Sequence, residues 1–259
     1  MSIYVIYDKS GYEKNVVFVN LLMEEFNKYG YQLRLVLSED IDNYKFSAQD
    51  IIIFRTINIE LAKKLKCCRL INDLFVIEYA NDKYKMNKYI EELGLNCEPC
   101  YLNSSDDLVY PYILKSLDGH GGSEVYYIDS DYKKEMVLSS INKDYLTQKF
   151  INATGDVRVY VINNNIVKAV KRTNDHDFRF NYSLNGNIEL FEIDDKLRYY
   201  VNKILRNHHY DYVGIDFLIV NNDYIFNEIE DVVGSRMLYH ISDIKIHEML
   251  VTYILTEVL

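Results

Sequence analysis

The sequence predicts an α/β lobe built on a parallel sheet, followed by an α+β region rich in antiparallel hairpins. Three observations lead there. Short, branched-apolar strands alternate with helical patterns up to about residue 75. Beyond it, asparagine turns join successive strands into hairpins. Two amphipathic helices then supply apolar stripes to cover the sheets.

Ile3–Tyr7 reads as the first strand, and Val16–Tyr29 as a helix stopped by Gly30. Gln32–Leu37 and Ile51–Phe54 are further strands, and Ile59–Leu65 fits a short helix capped by Asn58. A charged helix is expected from about Asp82 to Leu93, with Gly94 just past its end. Ile113–Leu117 and Glu124–Ile128 are short strands flanking a glycine cluster. Leu146–Ile151, Val157–Ile162 and Ile166–Arg172 follow as strands, the last two joined by Asn163, Asn164 and Asn165. Lys196–His209 places Leu197, Tyr200, Val201, Ile204, Leu205 and His208 at helical spacing. Tyr212–Val220 and Tyr224–Glu230 form another hairpin around Asn221, Asn222 and Asp223, and a helix from about Asp243 to Val258 closes the pattern.

Composition narrows the class of function. The 259 residues suffice for two or three lobes with a real core, and two prolines and ten glycines leave no room for a long flexible linker. A formal charge of −10 with no Lys/Arg block argues against a nucleic-acid partner. Charge in the first residues, where a signal peptide needs an apolar run, and the lack of a membrane-length apolar stretch lead us to expect a cytoplasmic protein without a membrane partner. Cys67, Cys68, Cys97 and Cys100 could in number form a zinc site. Neighbouring side chains such as Cys67 and Cys68 point apart, however, so ordinary reduced thiols are expected.

Three stretches could carry chemistry. Between Pro111 and Val125, Gly119, Gly121 and Gly122 lack Cβ atoms, so backbone N–H groups can turn together toward an anion, with Lys115 on the preceding strand. These glycines join two strands, unlike a Walker loop that opens a helix. In the second stretch Asp216 lies among apolar residues, and Glu228 and Glu230 share one strand face. Buried carboxylates repel unless a cation neutralises them, and oxygen ligands suit magnesium. Between the two stretches lie Arg158, Lys171, Arg172, Arg179 and Asn181, which could hold a phosphoryl group or a carboxylate if they converge. Singly, each motif also fits a solvent-facing turn, hairpin or charge.

Their order is more telling than any one of them. The strand with Lys115 and its glycine flap, Gln148–Ile151, Asp156–Arg158, Lys171–Arg172, Phe178–Asn181, Gly214–Asp216 and Asn227–Glu230 together resemble the ATP-grasp superfamily. The subgroup they look most like is the RimK-like amino-acid and peptide ligases, with glutathione synthetase more distant. The resemblance covers roughly residues 75–259. It implies an N-terminal α/β domain over 1–75 and an ATP-grasp fold over 76–259, whose lobes, 76–146 and 147–259, enclose the nucleotide. It further implies ATP bound by Lys83, Lys115, the flap from Gly119 through Gly121 and Gly122 to Ser123, and the hinge strand Gln148, Lys149, Phe150 and Ile151. Asp216, Glu228 and Glu230 would hold two magnesium ions, with manganese as an alternative and Glu228 as the bridge. Arg158, Arg172, Arg179 and Asn181 would surround the acyl-phosphate.

The family pattern has asparagine where this chain has Glu230, and a small-residue loop where it has Asp231 to Arg236. Arg236 therefore becomes a candidate for substrate recognition, while His120 in the flap has no assigned role. The implied reaction is ATP-dependent C–N ligation: a carboxylate takes the γ-phosphoryl group, an amine displaces phosphate, and ADP is released. The acceptor can be an amino acid or a peptide, and homodimers are common in the family resembled. Rival readings are a non-catalytic nucleotide-binding regulator and an ATP-grasp small-molecule kinase.

Overall fold

The computed structural model describes residues 1–119, 124–180 and 186–259. Its first layer is a four-stranded parallel sheet. The chain runs through β1 (Ile3–Tyr7), α1 (Lys9–Lys28), β2 (Leu33–Leu37), β3 (Ile51–Phe54), α2 (Ile59–Lys64) and β4 (Arg69–Ile71), and the sheet order is β2-β1-β3-β4. Helix α1 begins seven residues before the apolar pattern suggests. Asp8 caps it by accepting the Gly11 N–H at 2.8 Å, and a non-helical Asn15 interrupts it, so its first turns carry no apolar period. Asn58 caps α2 as read, accepting from Leu61.

Two helices, α3 (Leu74–Ala80) and α4 (Lys83–Glu92), lead into a second sheet. It is formed by β5 (Cys100–Leu102), β6 (Tyr112–Ser116), β7 (Val125–Ile128) and, after α5 (Asp131–Ser140), β8 (Tyr145–Lys149). Its order is β5-β8-β6-β7, all antiparallel. Helix α5 escapes a reading by periodicity because it buries only Val137.

The third sheet contains β9 (Gly155–Ile162), β10 (Asn165–Thr173), β11 (Asn187–Phe191), then, after α6 (Asp195–Leu205), β12 (Tyr212–Val220) and β13 (Asp223–Glu230), in the order β11-β10-β9-β12-β13. Its two asparagine turns work as read. Asn163, Asn164, Asn221 and Asn222 all have φ between 49° and 62°, the paired left-handed geometry that matches strand twist. Helices α7 (Arg236–Ile241) and α8 (Ile246–Tyr253) complete the chain.

Val157, Val159, Val161, Ile215 and Phe217 pack with α6 on one face of the third sheet. On the other face, Tyr160 and Tyr212 join Val5, Phe26, Leu250 and Ile254 in one core that unites the first sheet, α1, α8 and the third sheet. None of the described helices is long and apolar enough to cross a membrane.

Candidate active site

Strand β9 is buried along its whole length, so its alternation must bury something on both faces. Its valines take the α6 side, which turns Asp156 and Arg158 to the opposite face. Register then supplies their partners, since Arg158 lies across from Asp216 on β12 and Asp156 across from Arg172 on β10. The Arg158 guanidinium grips Asp216 bidentately at 2.8 and 2.7 Å and reaches Glu230 at 2.7 Å. Arg172 donates to Asp156 at 2.6 Å and to Asp216 at 2.7 Å.

Glu228 and Glu230 join this face through a β-bulge. Asp216 pairs with Glu228 but the next residue, Phe217, pairs with Phe226, leaving Asn227 as the extra residue. Phe226 thereby stays in the apolar layer while Glu228 and Glu230 face the charges. Gly214 is required beside them. A Cβ there would lie 2.6 Å from Val233 and 3.2 Å from the Arg158 side chain.

Burial opposes ionisation of Asp216, but Arg158 and Arg172 outweigh it and hold the carboxyl down at about 2. Asp156 shares Arg172 with Asp216, and burial prevails there, pushing its carboxyl up to about 6. Burial likewise raises Glu230, against the pull of Arg158. Ligand oxygens of Asp216, Glu228 and Glu230 come within 4.8 Å of one another. Glu228 has only Lys83 near it, at 3.8 Å, among the described ion pairs. An all-oxygen set with one open carboxylate fits magnesium.

A cleft of about 880 Å³, including its open mouth, lies between the second and third sheets. Ile113, Val125, Phe150, Ile151, Leu218 and Phe226 give it apolar walls, and Lys83, Lys115, Gly119, Gln148, Lys149 and Glu228 also line it. Such a volume, with apolar and charged groups sharing its lining, suits a small molecule that carries both a ring and charge. Lys115 donates to Asn227 at 3.0 Å, and burial lowers its ammonium to about 8, although Glu228 pulls the other way. Lys83 donates to the Gly119 carbonyl. The Gln148 carboxamide donates to the Glu98 carbonyl at 2.9 Å, and the backbone of β8 is paired on both sides, with β5 and with β6. Arg179 lines the cleft beside its partner Asp177 at 2.7 Å. His120, Gly121, Gly122, Ser123 and Asn181 lie outside the described residues.

A second cavity, about 1290 Å³ with its mouth, opens between the first and third sheets. Arg158, Arg172, Glu230 and Arg236 line one part, and Tyr7, Asp8, Ser10, Gly11, Lys14 and Arg55 another. Arg172 lines both cavities. Lys171 does not join it, pairing instead with Glu189 at 2.8 Å on the exposed edge. No cysteine belongs to a cluster able to hold a metal among the described residues. Burial pushes Cys97 and Cys100 up to about 11.

Sequence reasoning missed the contribution of the first sheet to this cavity and Glu98 in the cleft, and it gave no role to Phe178 and Asn227 within the motifs that contain them. One signal was present. Asp8 and Arg55 directly follow the apolar strands Ile3–Tyr7 and Ile51–Phe54, and parallel sheets place ligands at those carboxyl ends.

Comparison with known proteins agrees with the architecture. A crystal structure of a RimK domain protein of the ATP-grasp type from Sphaerobacter thermophilus superposes with a TM-score of 0.76 at 15% identity, covering 98% of this chain and 99% of that one. An uncharacterized protein of Mycoplasma pneumoniae is 27% identical over 243 residues, 90% of this chain and 85% of its own. A probable alpha-L-glutamate ligase of Hahella chejuensis is 23% identical over 205 residues, 73% of this chain and 67% of its own. The family model of the RimK-like ATP-grasp domain matches residues 74–254, so the chain belongs to the RimK-like ATP-grasp family.

Proposed function

We propose that this chain is an ATP- and magnesium-dependent carboxylate–amine ligase that works through an acyl-phosphate and releases ADP and phosphate. The observation that carries the reading is the meeting of two cavities at Arg172, beside the carboxylates of Asp216, Glu228 and Glu230. The cleft takes the nucleotide, its apolar walls holding the base and Lys83 and Lys115 facing the phosphates. The second cavity takes the substrates. Arg158 and Arg172, fixed by Asp216 and Asp156, present guanidinium edges where a carboxylate oxygen must approach the γ-phosphoryl group. Such a transfer needs positioning and charge neutralisation rather than a protein nucleophile. Magnesium, held by oxygens of Asp216, Glu228 and Glu230, would supply further neutralisation of the phosphates. Arg179, like Arg172, lines the cleft, and Arg236 lines the substrate cavity.

The test uses the purified chain with Mg-ATP, hydroxylamine and a panel of amino acids and small carboxylates, in which the names of relatives put glutamate first. Mass spectrometry follows ADP and hydroxamate, with Glu228→Gln as control. A hydroxamate formed by the wild type alone supports the reading and identifies the activated carboxylate. Nucleotide binding with neither ADP nor hydroxamate from any pool overturns it in favour of a non-catalytic binder. A phosphorylated product without free phosphate points to a kinase.

A further inference from the structure

The substrate cavity has a reacting end at Arg158, Arg172 and Glu230, and a far end built by the first sheet. We propose that the far end is a carboxylate-recognition subsite centred on Arg55, so that one of the two substrates carries a carboxylate besides the one that is activated. This rests on the ligase reading above.

Topology singles out the place. The chain leaves β1 to form β2 on one side and returns to form β3 on the other, so β1 and β3 flank the point where the winding reverses. Open α/β sheets hold ligands outside the carboxyl ends of such a pair. Tyr7 closes β1, and Arg55 follows β3 directly.

Charge singles out the residue. Arg55 is only 3% exposed, with its guanidinium carbon 5.7 Å from the Phe18 ring and 5.3 Å from that of Tyr212. Its N–H bonds go to neutral oxygens: Nε to the Tyr7 hydroxyl at 3.2 Å, and the two terminal nitrogens to the carbonyls of Asp231 at 3.2 Å and Val233 at 2.7 Å. The Asp231 carboxylate accepts from Asn81 and acts on the Arg55 charge without touching it. Among the described residues no carboxylate forms an ion pair with Arg55, whereas the other buried arginines, Arg158 and Arg172, are both clamped by carboxylates. Three bonds leave two of the five guanidinium N–H groups for the cavity that Arg55 lines. A buried cation that no carboxylate touches is costly, and a ligand anion in the cavity would add the direct contact that Asp231 does not make.

The neighbours reinforce the sign. Lys14 and Arg236 line the same cavity, and Asp8, the acid at this end, caps α1 through the Gly11 N–H. A carboxylate matches the guanidinium fork in shape as well as charge.

The experiment measures calorimetric binding of amino acids and dicarboxylates to the full chain with Mg-ADP present, each ligand beside the amide of the carboxylate in question. Alpha-amides and side-chain amides distinguish which carboxylate is read. For at least one ligand, the wild type should prefer the acid over the amide by about tenfold or more, the effect of one charge-assisted contact. In Arg55→Met that ratio should collapse to within about twofold while Mg-ADP affinity is kept, and Arg55→Lys should recover part of it. If Arg55→Met does not fold, Lys14→Gln, an exposed change at the same end of the cavity, reads the same ratio, with a fall of about threefold expected. No acid preference for any ligand in the wild type, or a ratio unchanged in the variants, overturns the proposal. Failure of the ligase reading would look different: the acid preference would persist in a wild type that forms neither ADP nor hydroxamate.

Discussion

Lys115 stands on β6 with its ammonium in the cleft between the second and third sheets, where it donates to Asn227. Burial brings its pKa from the ordinary 10.5 down to about 8. A lysine that ionises less readily when folded opposes folding. The penalty is complete below about pH 8, fades as pH rises from 8 to 10.5, and vanishes above that range. For an enclosed group the shift corresponds to roughly 3 kcal/mol. Lys115 is only half-buried and water in the cleft screens it, so about 1–2 kcal/mol is the figure to expect. Lys115→Met should therefore stabilise the nucleotide-free protein, raising the midpoint of thermal unfolding by roughly 2–6 °C at pH 7. The same change should weaken Mg-ADP binding by about tenfold or more, because a charge-assisted contact to phosphate is lost. Scanning fluorimetry from pH 7 to 10.5 with calorimetric nucleotide titrations reads both effects. A variant less stable than wild type at pH 7, or one whose gain persists undiminished at pH 10.5, would refute this account of the site.

The same lysine should make nucleotide binding take up protons at pH 9, about one per ADP, and almost none at pH 6.5, as read by calorimetry in buffers of different ionisation enthalpy. Asp216→Asn leaves Arg158 and Arg172 short of a buried counter-charge and should cost about 3–5 kcal/mol in denaturant unfolding. Glu228→Gln should stay within about 0.5 kcal/mol of wild type yet lose the dependence of ADP affinity on magnesium. Gly214→Ala should displace Arg158 or Val233 and lower stability by about 1–3 kcal/mol; wild-type stability with full activity would remove the steric argument. Glu230→Asn frees one side of Arg158 and removes one negative charge, so half-saturation by magnesium in ADP binding should move to higher concentration; an unchanged magnesium titration would place Glu230 outside the metal's reach.

Much of this was legible in the residues, for identifiable reasons. The strands of the third sheet and their asparagine turns could be read because alternation and left-handed turn residues are local properties. Helix α6 could be read because it presents one continuous apolar stripe. Helix α5 and the first turns of α1 could not, since one buries almost nothing and the other depends on a cap and a kink. The site residues of the third sheet stood out as charges inside apolar runs. Their pairing did not, because the grip of Arg158 on Asp216 is set by register between β9 and β12, 58 residues apart. Arg55 escaped for a related reason: its environment is assembled from Tyr7, Asp231 and Val233, which only the fold brings together.

The extra residue in β13 has a consequence for how such a site can change over time. Because Asn227 shifts the phase of the strand, the core aromatic Phe226 and the site carboxylates Glu228 and Glu230 are bound to a single reading frame of the backbone. Substitutions can retune this strand one position at a time. A gain or loss of one residue between Phe226 and Glu228 has no mild form: it would drive carboxylates into the apolar layer and an aromatic ring into the charge cluster in the same step. Here the chain can tolerate change in chemistry far more readily than change in length.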